Sequence, residues 1–183
     1  MWRNTNQGWG LISILLHWIL GIVIIGLFIL GWWMTDLGYY DPWYNLGPWW
    51  HRSLGMLVLF ASLLRMVWRL VNPTPRALGH PLERAAAHLG HLALYVLMLV
   101  VLVSGYLIST ADGKGIAVFD WFTVPALISD LPNQASLAGE VHWYSALVLM
   151  ILAAGHAAAA LKHHVIDRHP VLKRMIDPRV SRR

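Results

Sequence analysis

Residues 139–161 read GEVHWYSALVLMILAAGHAAAAL, an apolar run interrupted by two histidines, His142 and His156. About 20 helical residues cross a hydrocarbon core of about 30 Å, so the run is long enough to span a membrane. The histidines are fourteen residues apart. At about 100° and 1.5 Å per residue they return to one helix face within roughly 40°, about 21 Å apart along the axis. One helix therefore presents two imidazoles to the same side at two depths.

Three further runs of similar character lie at 11–32, 51–70 and 88–110. With 57% hydrophobic and 13% charged residues the chain falls in the membrane class. The expected fold is all-α, an integral membrane four-helix bundle forming a single domain over residues 1–183. The first run is longer than the apolar core of a signal peptide and no small-residue cleavage site follows it, so it reads as a retained helix. There is no cysteine. That excludes disulfides, thiolate-held iron–sulfur clusters and covalent c-type haem.

The net charge of +5 is unevenly spread. Arg3, then Arg65, Arg69, Arg76 and Arg84, then Lys162, Arg168, Lys173, Arg174, Arg179, Arg182 and Arg183 fall at the amino end, around the second connection and in the tail. The first and third connections hold only Arg52 and Lys114. The positive-inside rule then places both termini in the cytoplasm, and the basic tail faces anionic membrane lipid, not nucleic acid. Outside, Asp36, Asp41, Asp112, Asp120, Asp130 and Glu140 outnumber the two cations. Such a face repels an anion.

Two of the other runs supply one imidazole each, His17 and His51. With both termini inside, His17 lies about six residues, roughly 9 Å, from the inner end of its helix, and His156 lies at a comparable depth. His51 and His142 both begin their helices at the outer end. The depth-matched pairs are His17 with His156 and His51 with His142. Ionisable side chains in a span mark a site or a pathway. A proton relay or a set of satisfied hydrogen bonds is one reading. Four histidines in two matched pairs favour axial ligation of two haem b groups, whose iron takes two ligands beyond the porphyrin. Zinc is disfavoured, because no carboxylate or thiolate accompanies either pair within the spans.

Gly21 and Gly55 each follow a histidine by four residues, on the same face. They leave room for a flat macrocycle, or permit close helix packing. Arg65, fourteen residues after His51, pairs with an inner haem propionate or snorkels to lipid phosphate. Arg52 and Lys114 are candidates for the outer propionates, or are simply solvated. His91 and His88 share a face at the inner end of the third helix, at the interface. His163 and Lys162 lie just past the last span, where they relay a proton or anchor a basic helix end at the headgroups.

Leu15-Leu16-His17-Trp18, His51-Arg52-Ser53-Leu54-Gly55, GHLALY at 90–95, GYLISTADGK at 105–114, and His156 through Lys162-His163-His164 together resemble the bacterial cytochrome b561 family, most closely its YceJ-like branch. The resemblance covers nearly the whole chain. It implies a dihaem inner-membrane cytochrome with His17, His51, His142 and His156 as axial ligands, exchanging electrons with ubiquinone or another quinone. It also carries a quinone site near the cytoplasmic haem onto Trp18 and His163, where His163 and Lys162 would hydrogen-bond a quinone carbonyl or relay a proton to it and His91 would assist quinone protonation.

The functional expectation is electron transfer between that quinone and a periplasmic one-electron partner. A superoxide:quinone oxidoreductase is the alternative, found within the wider family. A proton-coupled or haem-handling membrane protein without redox turnover is a second alternative.

Overall fold

A computed structural model describes residues 2–179; Arg182 and Arg183 of the basic tail lie outside them. Four long helices, α1 (Leu11–Met34), α2 (Trp43–Val71), α3 (Pro81–Ser109) and α4 (Gln134–Val165), are each long and apolar enough to cross a membrane. Between α3 and α4 a hairpin of β1 (Ile116–Val118) and β2 (Phe122–Val124) is inserted, and α5 (Val171–Arg174) follows α4.

The chain divides into two compact units, and the divisions fall inside all four long helices. One unit, bearing both termini, gathers Met1–Leu20, Ala61–Val96 and Leu149–Arg183. The other, bearing the hairpin, gathers Gly21–Phe60 and Leu97–Val148.

The helices run longer than the apolar runs suggest. α2 begins at Trp43, eight residues before His51, within the aromatic stretch that the Gly47-Pro48 pair marks as a turn. Asp41 starts it: its carboxylate accepts the Trp43 N–H at 2.8 Å, its carbonyl accepts the Tyr44 N–H at 3.0 Å, and Pro42 stands at the first helical position. Pro48 then removes a single intrahelical bond near the helix start, which the helix tolerates. α3 likewise starts at Pro81, where Glu83 reaches back to the His80 N–H at 3.0 Å, half of a capping box. α4 begins at Gln134, eight residues before His142. His51 and His142 are therefore about two turns inside their helices rather than at their ends.

In the terminal unit, Asn4 anchors the amino end. Its side chain accepts from the Gly10 N–H at 2.9 Å and from Ser13 Oγ at 2.7 Å, and donates to the Pro73 carbonyl at 3.1 Å. Gly10 is required there, because a Cβ would stand 2.4 Å from the Arg3 carbonyl carbon. Trp68 Nε1 donates to Ser13 Oγ at 3.0 Å, tying α2 to α1.

In the hairpin unit, Val118 and Ile116 are buried against Met56, with Leu57, Leu59, Tyr106, Phe119 and Val124 around them. Phe119 and Asp120 turn the hairpin with φ of 47° and 57°. The Phe119 N–H donates to Ser53 Oγ at 3.1 Å, and the Tyr106 hydroxyl donates to the Pro125 carbonyl at 2.8 Å. The segment is thus a fixed part of its unit, folded onto α2 and α3.

Val118 is fully buried, so Val118→Ala removes two methyl groups from a closed cluster. The cost expected is about 1–3 kcal/mol. A fall of several degrees in the melting temperature of the detergent-purified protein would register it; an unchanged midpoint would mean that the hairpin adds nothing to stability.

Candidate functional site

Each unit holds one of the two depth-matched histidine pairs, drawn from different helices. In the terminal unit the rings of His17 (α1) and His156 (α4) have centroids 6.2 Å apart and planes at 80°. In the hairpin unit those of His51 (α2) and His142 (α4) are 6.1 Å apart at 75°. A metal–imidazole bond is about 2.0–2.1 Å, and a ring centroid lies roughly 1.2 Å behind its nitrogen, so two imidazoles on opposite sides of one metal have centroids about 6.4–6.6 Å apart. Both pairs stand within about half an ångström of that spacing. A third imidazole, His91 of α3, is 5.1 Å from His156 and too close for the same arrangement.

Ring orientation differs between the pairs. His142 Nδ1 donates to the Val101 carbonyl at 2.8 Å, with Ser104 Oγ 3.3 Å away, which leaves the Nε2 lone pair for a metal. His51 Nδ1 is buried and makes no well-formed hydrogen bond, although the Leu27 backbone is near enough to act on the ring. Arg65 Nη2 lies 3.1 Å from His17 Nδ1, and Arg65 and Arg69 both stack on the Tyr95 ring, at 5.5 and 5.3 Å. Arg65 accordingly sits beside His17, in the terminal unit.

The glycines divide in two. A Cβ built at Gly21 or at Gly55 meets no atom within 4 Å, as a face that receives a flat group requires. Gly31 and Gly105 instead lie under histidine rings, where a Cβ would stand 3.0 Å from Cε1 of His51 and of His142 respectively. These two carry no histidine at the four-residue spacing that singled out Gly21 and Gly55. Gly105 does fall within the GYLISTADGK stretch, the one sequence signal that pointed to it.

The remaining candidates are placed as follows. Trp18 packs edge-on against His17 at 5.4 Å, and its indole N–H donates to the Met175 carbonyl at 2.7 Å. His91 donates Nδ1–H to the Ala87 carbonyl at 2.6 Å. Lys162 bridges Glu83 at 3.0 Å and Asp167 at 2.8 Å, and His163 Nδ1 is 2.6 Å from the same Asp167 oxygen. Hydrogen bonding from Lys162 holds the Asp167 carboxyl below the usual carboxylate range. Asp167 and its neighbour His169 were not candidates from sequence, though the four-residue step from His163 to Asp167 is an ordinary helical pairing distance. Arg52 donates to the Pro48 carbonyl at 3.2 Å, and Lys114 is paired with Asp112 at 2.8 Å, both on exposed surface.

Four membrane-length helices with paired imidazoles and no thiol define the class: a multi-pass membrane protein in which histidines of different helices face one another in pairs. Residues 8–178 match the family model described as prokaryotic cytochrome b561, and the chain belongs to that family. It is 46% identical over 175 residues to cytochrome b561 homolog 2 of Escherichia coli (strain K12), covering 94% of this chain and 93% of that one. Cytochrome b562 of Cereibacter sphaeroides is 30% identical over 181 residues (96% and 99% covered), and the probable superoxide oxidase CybB of Yersinia pestis 28% over 183 residues (93% and 97%). Membership brings b-type haem, electron transfer in the membrane and a bacterial inner-membrane location.

Gly105→Leu forces a side chain into the His142 ring, whereas Gly26→Ala adds a Cβ that meets nothing within 4 Å. The haem-to-protein ratio of purified protein should fall for the first, by no more than loss of the His142 site itself brings, and stay level for the second. Equal ratios would show that the His142 ring has room to move.

Proposed function

We propose that the chain binds two haem b groups, one between His17 and His156 and one between His51 and His142, and passes electrons between a quinone at the cytoplasmic side and a one-electron partner at the periplasmic side. The observation that carries this is the spacing of the two histidine pairs, 6.2 and 6.1 Å between centroids. When bound, haem supplies a one-electron ferric/ferrous couple, and two imidazoles leave its iron no open position for oxygen.

The protein's own groups set the rest. The Val101 carbonyl fixes the His142 tautomer that coordinates through Nε2. Coordination through His17 Nε2 requires a proton on Nδ1, and an Nδ1–H cannot accept from Arg65. The guanidinium is then released to pair with a propionate carboxylate. Gly21 and Gly55 keep the adjoining helix faces open. Arg52 and Lys114 are the outer candidates for propionates, Lys114 after exchange with Asp112.

Trp18, His91, His163 and Lys162 border the quinone in this reading. Trp18 and His91 touch the two ligand rings of the terminal unit, and His163 shares a short hydrogen bond with Asp167 that offers a proton to a quinone oxygen. The basic residues around that unit support a cytoplasmic position for it, by the positive-inside rule.

Substituting His142 by Ala should remove one haem and leave one, and His156→Ala should do the same to the other. Pyridine haemochrome content per protein should drop from two to one in each case. Two low-spin haems surviving either substitution would overturn the ligand assignment.

Superoxide oxidation is a second reading, favoured by the 28% identity to a probable superoxide oxidase. The charge on the outer connections weighs against it, because one of the two cations there, Lys114, is already paired with Asp112. Superoxide should therefore react well below about 10⁸ M⁻¹s⁻¹, and faster as salt screens the repulsion. Stopped-flow measurement across ionic strengths separates the readings: a faster reaction that slows with salt would establish a positive field and favour the oxidase.

A further inference from the structure

α4 ends at Val165, and the chain leaves it through Arg168, whose φ of 57° is left-handed. That turn returns His169 to the helix end. Its backbone N–H donates to the His163 carbonyl at 2.9 Å, and its ring lies over that of His163, with centroids 6.3 Å apart and planes 25° from parallel. One ligand atom from each of His163, Asp167 and His169 falls within 4.8 Å of the others.

We propose that His163, Asp167 and His169 bind one divalent transition-metal ion of the zinc class, which displaces the Lys162 ammonium from Asp167. The donor set is two imidazoles and a carboxylate, with a fourth position left for water. That is the composition of an open tetrahedral zinc site, whereas calcium and magnesium call for oxygen ligands. Ligand atoms about 2.0–2.2 Å from a tetrahedral ion are roughly 3.3–3.6 Å apart. The 2.6 Å between His163 Nδ1 and Asp167 Oδ2 and the 4.8 Å limit of the group bracket that value, so closure needs only side-chain adjustment.

Two further observations point to a ligand. His169 Nδ1 is buried and has no hydrogen-bond partner. Asp167 Oδ2 already carries a cation, Lys162 Nζ at 2.8 Å, and that ammonium has a second anchor in Glu83 at 3.0 Å, to which it can withdraw. Metal and ammonium thus compete for one oxygen. The site stands whether or not His163 also meets a quinone.

The test is equilibrium dialysis of the haem-loaded, full-length protein against zinc at neutral pH, with metal counted by elemental analysis. His163→Ala/His169→Ala serves as the reference for binding at other surface histidines. Wild type should hold one zinc per chain above that reference, and His169→Ala or Asp167→Asn should weaken the affinity at least tenfold. Lys162→Gln should tighten it severalfold, a gain that adsorption to a surface imidazole would not give. The haem spectrum reports folding; if a histidine variant loses it, Asp167→Asn, which preserves side-chain size, decides the matter. Equal zinc in wild type and reference, an unaffected Asp167→Asn, or weaker binding in Lys162→Gln would each overturn the site.

Discussion

An imidazole inside an apolar helix calls for a partner, and much of this architecture follows from meeting that demand, with His51 Nδ1 the exception that stays buried without a well-formed hydrogen bond. In water a lone histidine costs nothing; in a membrane span, its polar nitrogens have no solvent to bond. His142 is served by the Val101 carbonyl, His17 by Arg65, and His156 lies against His17 and His91. Each solution draws on a different helix, so satisfying the rings also fixes which helices meet. Exposed Ile22, Ile29, Leu64 and Ile151 then present apolar surface to lipid, and the polar chemistry is confined to the ring pairs and the helix ends.

Helix periodicity and depth made the pairing legible, because both quantities are properties of a single helix and a membrane of known thickness. His142 and His156 recur on one face of α4 by arithmetic alone, and positive-inside charge gave His17 and His51 their depths. Helix ends were less legible. The Asp41-Pro42 start of α2 was masked by Gly47-Pro48, which reads as a turn until one sees that Pro48 sits where only one backbone bond is lost. The hairpin was hidden for a related reason: three-residue strands carry too short an alternation to detect, and Phe119 and Asp120 adopt positive φ without a glycine to announce it.

The glycines show where one-dimensional reasoning stops. Gly21 and Gly55 were found by their spacing from a histidine on the same helix, and their faces are open. Gly31 and Gly105 act across helices, against His51 and His142. No periodicity links residue 31 to residue 51 or 105 to 142; only the packing does. Asp167 and His169 were missed because the turn that gathers them depends on a left-handed Arg168, a conformation that arginine gives no reason to expect.

Arg65 joins the structural and functional demands. Two guanidinium groups share the Tyr95 ring, and like charges stacked four residues apart on α2 repel unless an anion or an aromatic face lies between them. Tyr95 supplies the face, and one of the cations also contacts His17 Nδ1. Such a contact holds only while that nitrogen accepts; once the imidazole coordinates through Nε2 and keeps its proton on Nδ1, donor meets donor. In the proposed two-haem arrangement that change would free Arg65 to pair with a propionate carboxylate, and the arginine held against His17 would become its counter-ion.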